Sequence, residues 1–580
     1  MKKSWPAQAN SLSTETERLR RGDAQALHRM ALGCFQREEY EQASSYFNLA
    51  LQVAPRDIEI LEHAGLLAAF LGNYEAAETH YCRALGLSGG SATLHRNLAD
   101  CLRLSGKVSA AVTHYEKSIE IEPGLHHSIR TLAKMSVNAG LMDAAAKYWL
   151  RAWELDSTNL QDGLDLIVSL IKAKRDENLA TAIVQLRKKF GNDANALKAL
   201  SFVLNNNDRF RDAINVVMQG LSVDPEHALL HHNAARAFAA CGETHASLRH
   251  GRKAARLLPA VPQLQYQLAN SLLASGEFEE GWKRYKAFYD LPGNETAFVR
   301  PPFPEWRGQP VDGLRFLMVG EQGRGDEIQC LRFADWLDRQ GAIVDVLVSR
   351  PIAELARSVQ SIRTVHTTIP RAGYDLWCHM LRMPEHMRFD LTMLPGRVPY
   401  VSTSPEKVTQ WRKRVKAYAS FERDDKCRIG IVWAGGPQTS HDRFRSIALD
   451  NMKPLFSLPG FTWFSLQKGA GERESEDLAG EFKVHTLGPE IEDFTDTLAI
   501  LHSLHLLITV DTSAAHLAGA AGLPVWTLVS TYTEWRWLAN RTDSPWYPSM
   551  RLFRQRELGQ WEPVIEEVCN ALREWRAAPV

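Results

Sequence analysis

Ala43, Ala77, Ala111 and Ala145 stand 34 residues apart. Each is followed four residues later by an aromatic side chain, Phe47, Tyr81, Tyr115 or Trp149. Three residues beyond comes a small one, Ala50, Ala84, Ser118 or Ala152, and five further on Pro55, Gly89, Pro123 or Ser157 interrupts the helix. Upstream, Ala31, Gly65, Ala99 and Ala133 repeat a second small position. A unit of this length cannot bury its apolar face alone, so the pattern requires stacked helix hairpins. The small residues let two antiparallel helices approach. The aromatic is expected to fill the gap to the next hairpin, and proline ends the second helix because it has no N–H to give.

The phase survives one degenerate unit at about 160–193. Ala213 and Pro225 mark the sixth unit, Ser247 and Pro259 the seventh, and Leu268, Ala269 and Tyr285 the eighth. The array is predicted to span 24–295 in about eight repeats, and it resembles the tetratricopeptide repeat. Such an α-solenoid carries no chemistry of its own. Its concave face is expected to hold a protein or peptide, and its oligomeric state stays open. His126, His127, His231 and His232 fall on helical stretches without partners at metal-ligand spacing, so solvated or packed histidines are expected there.

Composition excludes several classes. The 580 residues hold 68 Lys+Arg and 68 Asp+Glu, which argues against a general nucleic-acid binder because counterion release needs a basic excess. Eight scattered cysteines form no C-x-x-C pair, so neither a zinc ribbon nor a disulfide framework is expected. Lys2 and Lys3 precede no apolar run and no segment reaches membrane-spanning length, so a reduced, cytoplasmic protein is expected.

Near residue 291 the pattern changes. Leu291-Pro-Gly-Asn and Pro301-Pro-Phe-Pro-Glu-Trp306 read as a connector, placed at 296–313. Beyond it, β-rich runs alternate with helical stretches. Strands are predicted at 314–319, 343–348, 362–366 and 374–377, then at 428–433, 461–466, 483–487, 506–510 and 525–529. Helices are predicted at 326–340, 494–504 and 512–521, among others. Apolar strands alternating with helices imply parallel sheets with crossovers. Two Rossmann-like lobes are expected, at 314–403 and 427–577, joined by a helical linker at 404–426. Ligands of such sheets bind beyond the carboxyl ends of the strands.

Polar motifs fall at those ends. The first strand runs into Gly320-Glu-Gln-Gly323-Arg-Gly325-Asp326-Glu327, where glycines permit close backbone approach and Asp326 opens a helix as a cap or a reactive carboxylate. The strand at 428–433 runs into Ala434-Gly435-Gly436-Pro437 and a loop with Arg443, Arg445 and Ser446. Those arginines fit either a diphosphate or a solvated basic loop. The strand at 461–466 ends in Gln467-Lys468, an amide and an ammonium at the same edge. The strand at 506–510 ends in Asp511-Thr512-Ser513-Ala-Ala-His516, a helix start whose amides suit an anion, or else a capped helix with a buried histidine.

Taken in order with Glu534-Trp-Arg-Trp537 and Asp543-Ser-Pro-Trp-Tyr-Pro548, these motifs resemble bacterial tetratricopeptide proteins with a glycosyltransferase family 9-like domain. The resemblance covers about 24–577. The layout is also similar to O-linked N-acetylglucosamine transferases and to bacterial flagellin glycosyltransferases. It implies a GT-B fold and a nucleotide-sugar donor. Asp326 matches the family's catalytic base, with Glu327 beside it. Asp511, Thr512 and His516 match its diphosphate-binding turn, with Ser513 where the family has glycine. Arg445 stands for its basic phosphate contact. The implied reaction is inverting and uses neither metal nor cofactor, with the repeats recruiting a protein acceptor. The alternatives are an inactive scaffold or sugar-nucleotide sensor, and a glycolipid-modifying enzyme like the heptosyltransferases.

Overall fold

The computed structural model describes residues 9–294, 298–371, 373–394, 398–419, 427–436, 442–469, 471–482, 484–532 and 534–575. Parts of the expected connector (296–297) and linker (420–426), and the loop at 437–441, lie outside them. The chain divides into two compact units, 1–191 and 192–580.

The first unit holds five hairpins. The end of Ala9–Gln36 pairs with Tyr40–Val53, Ile58–Phe70 with Tyr74–Ser88, Ala92–Leu104 with Val108–Ile121, His126–Asn138 with Met142–Leu155, and Leu160–Lys172 with Asp176–Lys189. The repeated small positions act inside each hairpin. A Cβ on Gly65 would come within 2.8 Å of the Tyr81 ring, so the aromatic sinks into its own hairpin. This differs from the expected packing on the next one. The degenerate unit is a full hairpin with its sizes exchanged. Leu186 occupies the position of Ala50 and Ala84, and Gly163 recedes beneath it, since a Cβ there would meet Leu186 at 2.9 Å and Trp153 at 3.1 Å. Such volume exchange keeps the packing while hiding the repeat signature.

The second unit begins with three more hairpins, Ala194–Asn206 with Phe210–Val223, Ala228–Ala240 with Thr244–Leu257, and Pro262–Ala274 with Phe278–Tyr285. Ten strands follow among the described residues, β1 (Arg315–Val319), β2 (Ile343–Leu347), β3 (Thr364–His366), β4 (Leu376–His379), β5 (Cys427–Val432), β6 (Phe461–Ser465), β7 (Val484–Thr486), β8 (Leu506–Val510), β9 (Val525–Val529) and β10 (Met550–Arg554). They form two sheets, ordered β3-β2-β1-β4 and β10-β9-β8-β5-β6-β7, and every pairing is parallel. Counted from β5, the larger sheet has the 3-2-1-4-5-6 order of doubly wound nucleotide folds. β8 and β9 are buried along their whole length, as strands covered on both faces must be.

One expectation needs correction. The helix predicted at 326–340 is two segments, Arg324–Cys330 and Phe333–Arg339. The connector docks as well as links. Trp306 donates to the Trp377 carbonyl (2.7 Å) and Trp377 to that of Pro304 (2.9 Å), covering the β4 edge. The last three hairpins of the array fall in the compact unit that holds the sheets, 192–580. The reason lies in the packing of the last three hairpins. Trp282 meets Trp535 edge-on at 5.0 Å, Ala539 donates to the Ala274 carbonyl (2.8 Å), and Thr531 Oγ1 to that of Ala240 (3.0 Å). One apolar core runs from Ala269 and Trp282 through Phe316 and Val346 to Leu517 and Trp546.

Candidate functional site

The turn after β1 and the turn after β8 meet. A Cβ on Gly325 would stand 2.8 Å from His516 Cδ2 and 3.6 Å from the Ser513 Cα. Only glycine lets the helix Arg324–Cys330 approach the helix Ser513–Ala520 so closely. Their junction joins the carboxyl ends of the first strand of one sheet and the central β8 of the other.

Asp326 sits at this junction. One carboxylate oxygen accepts the Gly323 N–H (2.9 Å), holding the turn closed. The other accepts from Arg536 Nε at 2.6 Å, and Nη2 of the same guanidinium reaches it too. Both side chains are 12% exposed. Arg536 Nη1 binds Glu534 at 2.6 Å, and the guanidinium lies 4.3 Å above the Trp535 ring. Burial works against the Arg536 charge, but Asp326 and Glu534 outweigh it and hold its pKa well above the usual guanidinium value. Asp326 is therefore an ion-paired carboxylate in this state.

Glu327 turns elsewhere. Its oxygens accept the Ser349 N–H (2.9 Å) and hydroxyl (2.5 Å), and its side chain lies against Gly320, which has no room for a Cβ. Burial raises its pKa against those two bonds. It ties the β1 turn to the end of β2 through Ser349.

On the opposite side, Asp511 is pushed up to about 6 by burial and by the charge of Glu534, with Arg445 and Arg536 pulling the other way. Thr512, expected within the anion turn, is the N-cap residue of Ser513–Ala520, and among the described residues no side chain caps the helix. Thr512 Oγ1 lies 3.0 Å from that of Thr509. The helix start thus keeps its dipole and amides for an anion. Burial, then Arg536 and Arg445, push His516 down to about 3, so its ring is neutral at pH 7. His516 Nδ1 lies 2.9 Å from the Tyr547 hydroxyl, and the ring stacks on Trp537 at 4.8 Å. When Tyr547 donates to Nδ1, Nε2 carries the proton, on the side of the ring that packs against Gly325.

The loop after β5 contributes unevenly. Arg445 folds over Gly435, where a Cβ would meet its Nη2 at 2.6 Å, and it pairs with Asp442 at 3.1 Å. Ser446 Oγ accepts the Gly435 N–H (3.0 Å) and fixes that bend. Gly436 stands exposed beside it. Arg443 points away, to Asp208 in the sixth hairpin (2.6 Å), so its ion pair joins the array to the sheet half. Gln467 is buried and clamps the end of β5. Its oxygen accepts from the Trp433 and Ala434 amides, and its nitrogen donates to the Ala434 carbonyl. Lys468 Nζ donates to the Gly488 carbonyl at 2.9 Å. Arg443, Gln467 and Lys468, expected at the donor, thus each have a partner within the protein.

With that geometry in hand, comparison with known proteins bears on the array first. Residues 58–90 match the family profile of the tetratricopeptide repeat. The helix hairpins are tetratricopeptide repeats. The protein FlbA of Caulobacter vibrioides is 26% identical over 388 residues, spanning 62% of this chain and 64% of its own length. That share exceeds everything ahead of β1, so the likeness runs into the sheet half. The chain therefore spans less than two thirds of that curated relative. Among solved structures, the C-terminal part of a TPR repeat-containing protein from Cytophaga hutchinsonii matches 42% of this chain and 99% of its own, with 13% identity and a TM-score of 0.33. Naa15/Naa10 bound to HypK-THB matches 47% of this chain and 43% of its own, with 14% identity and a TM-score of 0.34.

Several groups at the junction escaped sequence reasoning. Glu321, next to Gly320, accepts the Tyr289 hydroxyl (2.7 Å) and the Leu381 N–H (2.9 Å), and burial pushes it up to about 7. Gln322 has φ +58° and donates to the Tyr285 hydroxyl (2.9 Å). The end of the eighth repeat thus holds the β1 turn in place through two tyrosines. Arg536 and Glu534 were visible only as charges inside an aromatic segment.

Proposed function

We propose that this chain is a glycosyltransferase of the GT-B type that transfers a sugar from a nucleotide-sugar donor to a protein or peptide acceptor. The reading rests on the Gly325–His516 contact, which brings Asp326 from one sheet to face a helix start, Arg445 and Arg536 from the other. In this reading the donor diphosphate sits at the start of Ser513–Ala520. Arg445 and the backbone amides meet its charge. Arg536 moves from Asp326 to the diphosphate, and this exchange frees the carboxylate. Asp326 then takes the proton of an acceptor hydroxyl as its oxygen bonds to the anomeric carbon. The bond from that carbon to the phosphate oxygen breaks, and the nucleoside diphosphate departs. The repeats present the acceptor.

The Asp326–Arg536 pair also favours a second reading, a sugar-nucleotide sensor whose carboxylate never leaves its partner. Both readings require donor binding. Full-length protein titrated with nucleoside diphosphates should bind one of them, and Arg445→Ala should weaken that binding by about 1–3 kcal/mol, the range of charge-assisted hydrogen bonds. Absence of binding by every nucleoside diphosphate refutes both. Turnover of the nucleotide-sugar separates the enzyme from the sensor.

A further inference from the structure

The repeat stack contains a three-residue cluster of a different kind. Glu59 and His63 are four residues apart on the helix Ile58–Phe70, a spacing that puts both on one face. His28, on the preceding repeat's helix Ala9–Gln36, faces them with Nε2 3.1 Å from His63 Nδ1. One ligand atom from each of the three lies within 4.8 Å of the other two. Among the described residues no other trio of His, Cys, Asp or Glu converges in this way. The pairs His95–His114 and His231–His250 have Nδ1 atoms 2.8 Å apart but lack the third ligand.

We propose that His28, Glu59 and His63 bind a divalent transition-metal ion, zinc before others, which clamps the first repeat to the second. Two imidazole nitrogens on a tetrahedral zinc, each about 2.0–2.1 Å from the ion, stand about 3.3 Å apart, close to the separation found here. His28 is buried, so its ring is held between the two repeats. Glu59 is exposed and closes the solvent side with an anionic oxygen. Two imidazoles and one carboxylate are a known zinc donor set that leaves a fourth position for water. Sequence reasoning missed the cluster because His28 and His63 are 35 residues apart on different helices.

The test uses the full chain, stripped with a chelator and titrated with zinc against a chromophoric competitor. One equivalent is expected to bind, with two imidazoles and one carboxylate around the ion by X-ray absorption. His63→Ala should abolish uptake, and Glu59→Gln should weaken it by about tenfold or more. The double variant His231→Ala, His250→Ala should bind like the parent. Glu59 is exposed, so Glu59→Gln keeps the test valid even if His63→Ala misfolds by circular dichroism. A parent chain that takes up no zinc, or Glu59→Gln and His63→Ala chains that bind as tightly as the parent, overturns the proposal.

Discussion

Replacing Asp326 by Asn separates two effects that the geometry predicts together. The carboxylate and the Arg536 guanidinium are each 12% exposed, so solvent screens their attraction little. Removing one partner of a buried pair costs about 3–5 kcal/mol, because the other charge is left uncompensated. Arg536 keeps Glu534 at 2.6 Å, which places the expected loss near the lower end, about 3 kcal/mol. Asn still offers an oxygen to the Gly323 N–H, so the turn survives. Ala would lose that bond as well, for about 1 kcal/mol more. If Asp326 is the base, turnover of the Asn variant falls a further 10²–10⁴-fold, by about the usual worth of a general base. Urea unfolding followed by tryptophan fluorescence reads the first effect, and release of nucleotide from donor reads the second. A stability loss under about 1 kcal/mol would refute the buried-pair argument. Near-normal turnover would refute the base.

Three further expectations concern the same half. Gly325→Ala puts a methyl 2.8 Å from His516 Cδ2 and should destabilise the protein by about 1–3 kcal/mol while lowering donor affinity; an unchanged melt would mean the two turns do not pack as described. Glu321 has a raised folded pKa of about 7, so the folded state binds the extra proton, and stability should decline as pH rises from about 4.5 to 7 and then level off. Glu321→Gln should flatten that slope by up to about 3 kcal/mol across the window, and an identical pH profile in both proteins would remove Glu321 as its source. A chain starting at 192 should fold and bind donor, whereas one starting at 300 should not, because it strips Trp282 and Tyr285 from the shared core; a soluble, cooperatively melting 300–580 fragment would contradict this.

The strands were legible because their apolar runs are short, β-branched and bounded by turn residues. The bounds of β8 and β9 agree with the sequence reading residue for residue. β10 escaped because two arginines interrupt the short apolar run Met550-Arg-Leu-Phe-Arg554. The fifth hairpin lost its signature through the exchange of Gly163 and Leu186, which conserves volume and leaves no residue type in place. Gly325, Asp326, Asp511 and His516 could be placed at strand ends, and they do converge. The partner that decides the state of Asp326 could not be found that way. Arg536 lies 210 residues away and reaches it only through the packing of one sheet on the other. Likewise Arg443 reads as a phosphate ligand in sequence, but Asp208, 235 positions earlier, takes its guanidinium.

The central claim is that the Gly325–His516 junction works on a nucleotide-sugar. Its most direct test is to incubate the full-length chain with UDP-, GDP-, ADP- and dTDP-sugars and follow release of the free nucleoside diphosphate, with wild type, Arg445→Ala and Asp326→Asn in parallel. The account predicts that wild type consumes one donor class, slowly to water and faster when its protein acceptor is present. Arg445→Ala should need more donor, and Asp326→Asn should bind donor and turn over little. A wild-type chain that neither binds nor consumes any of these donors would contradict the claim.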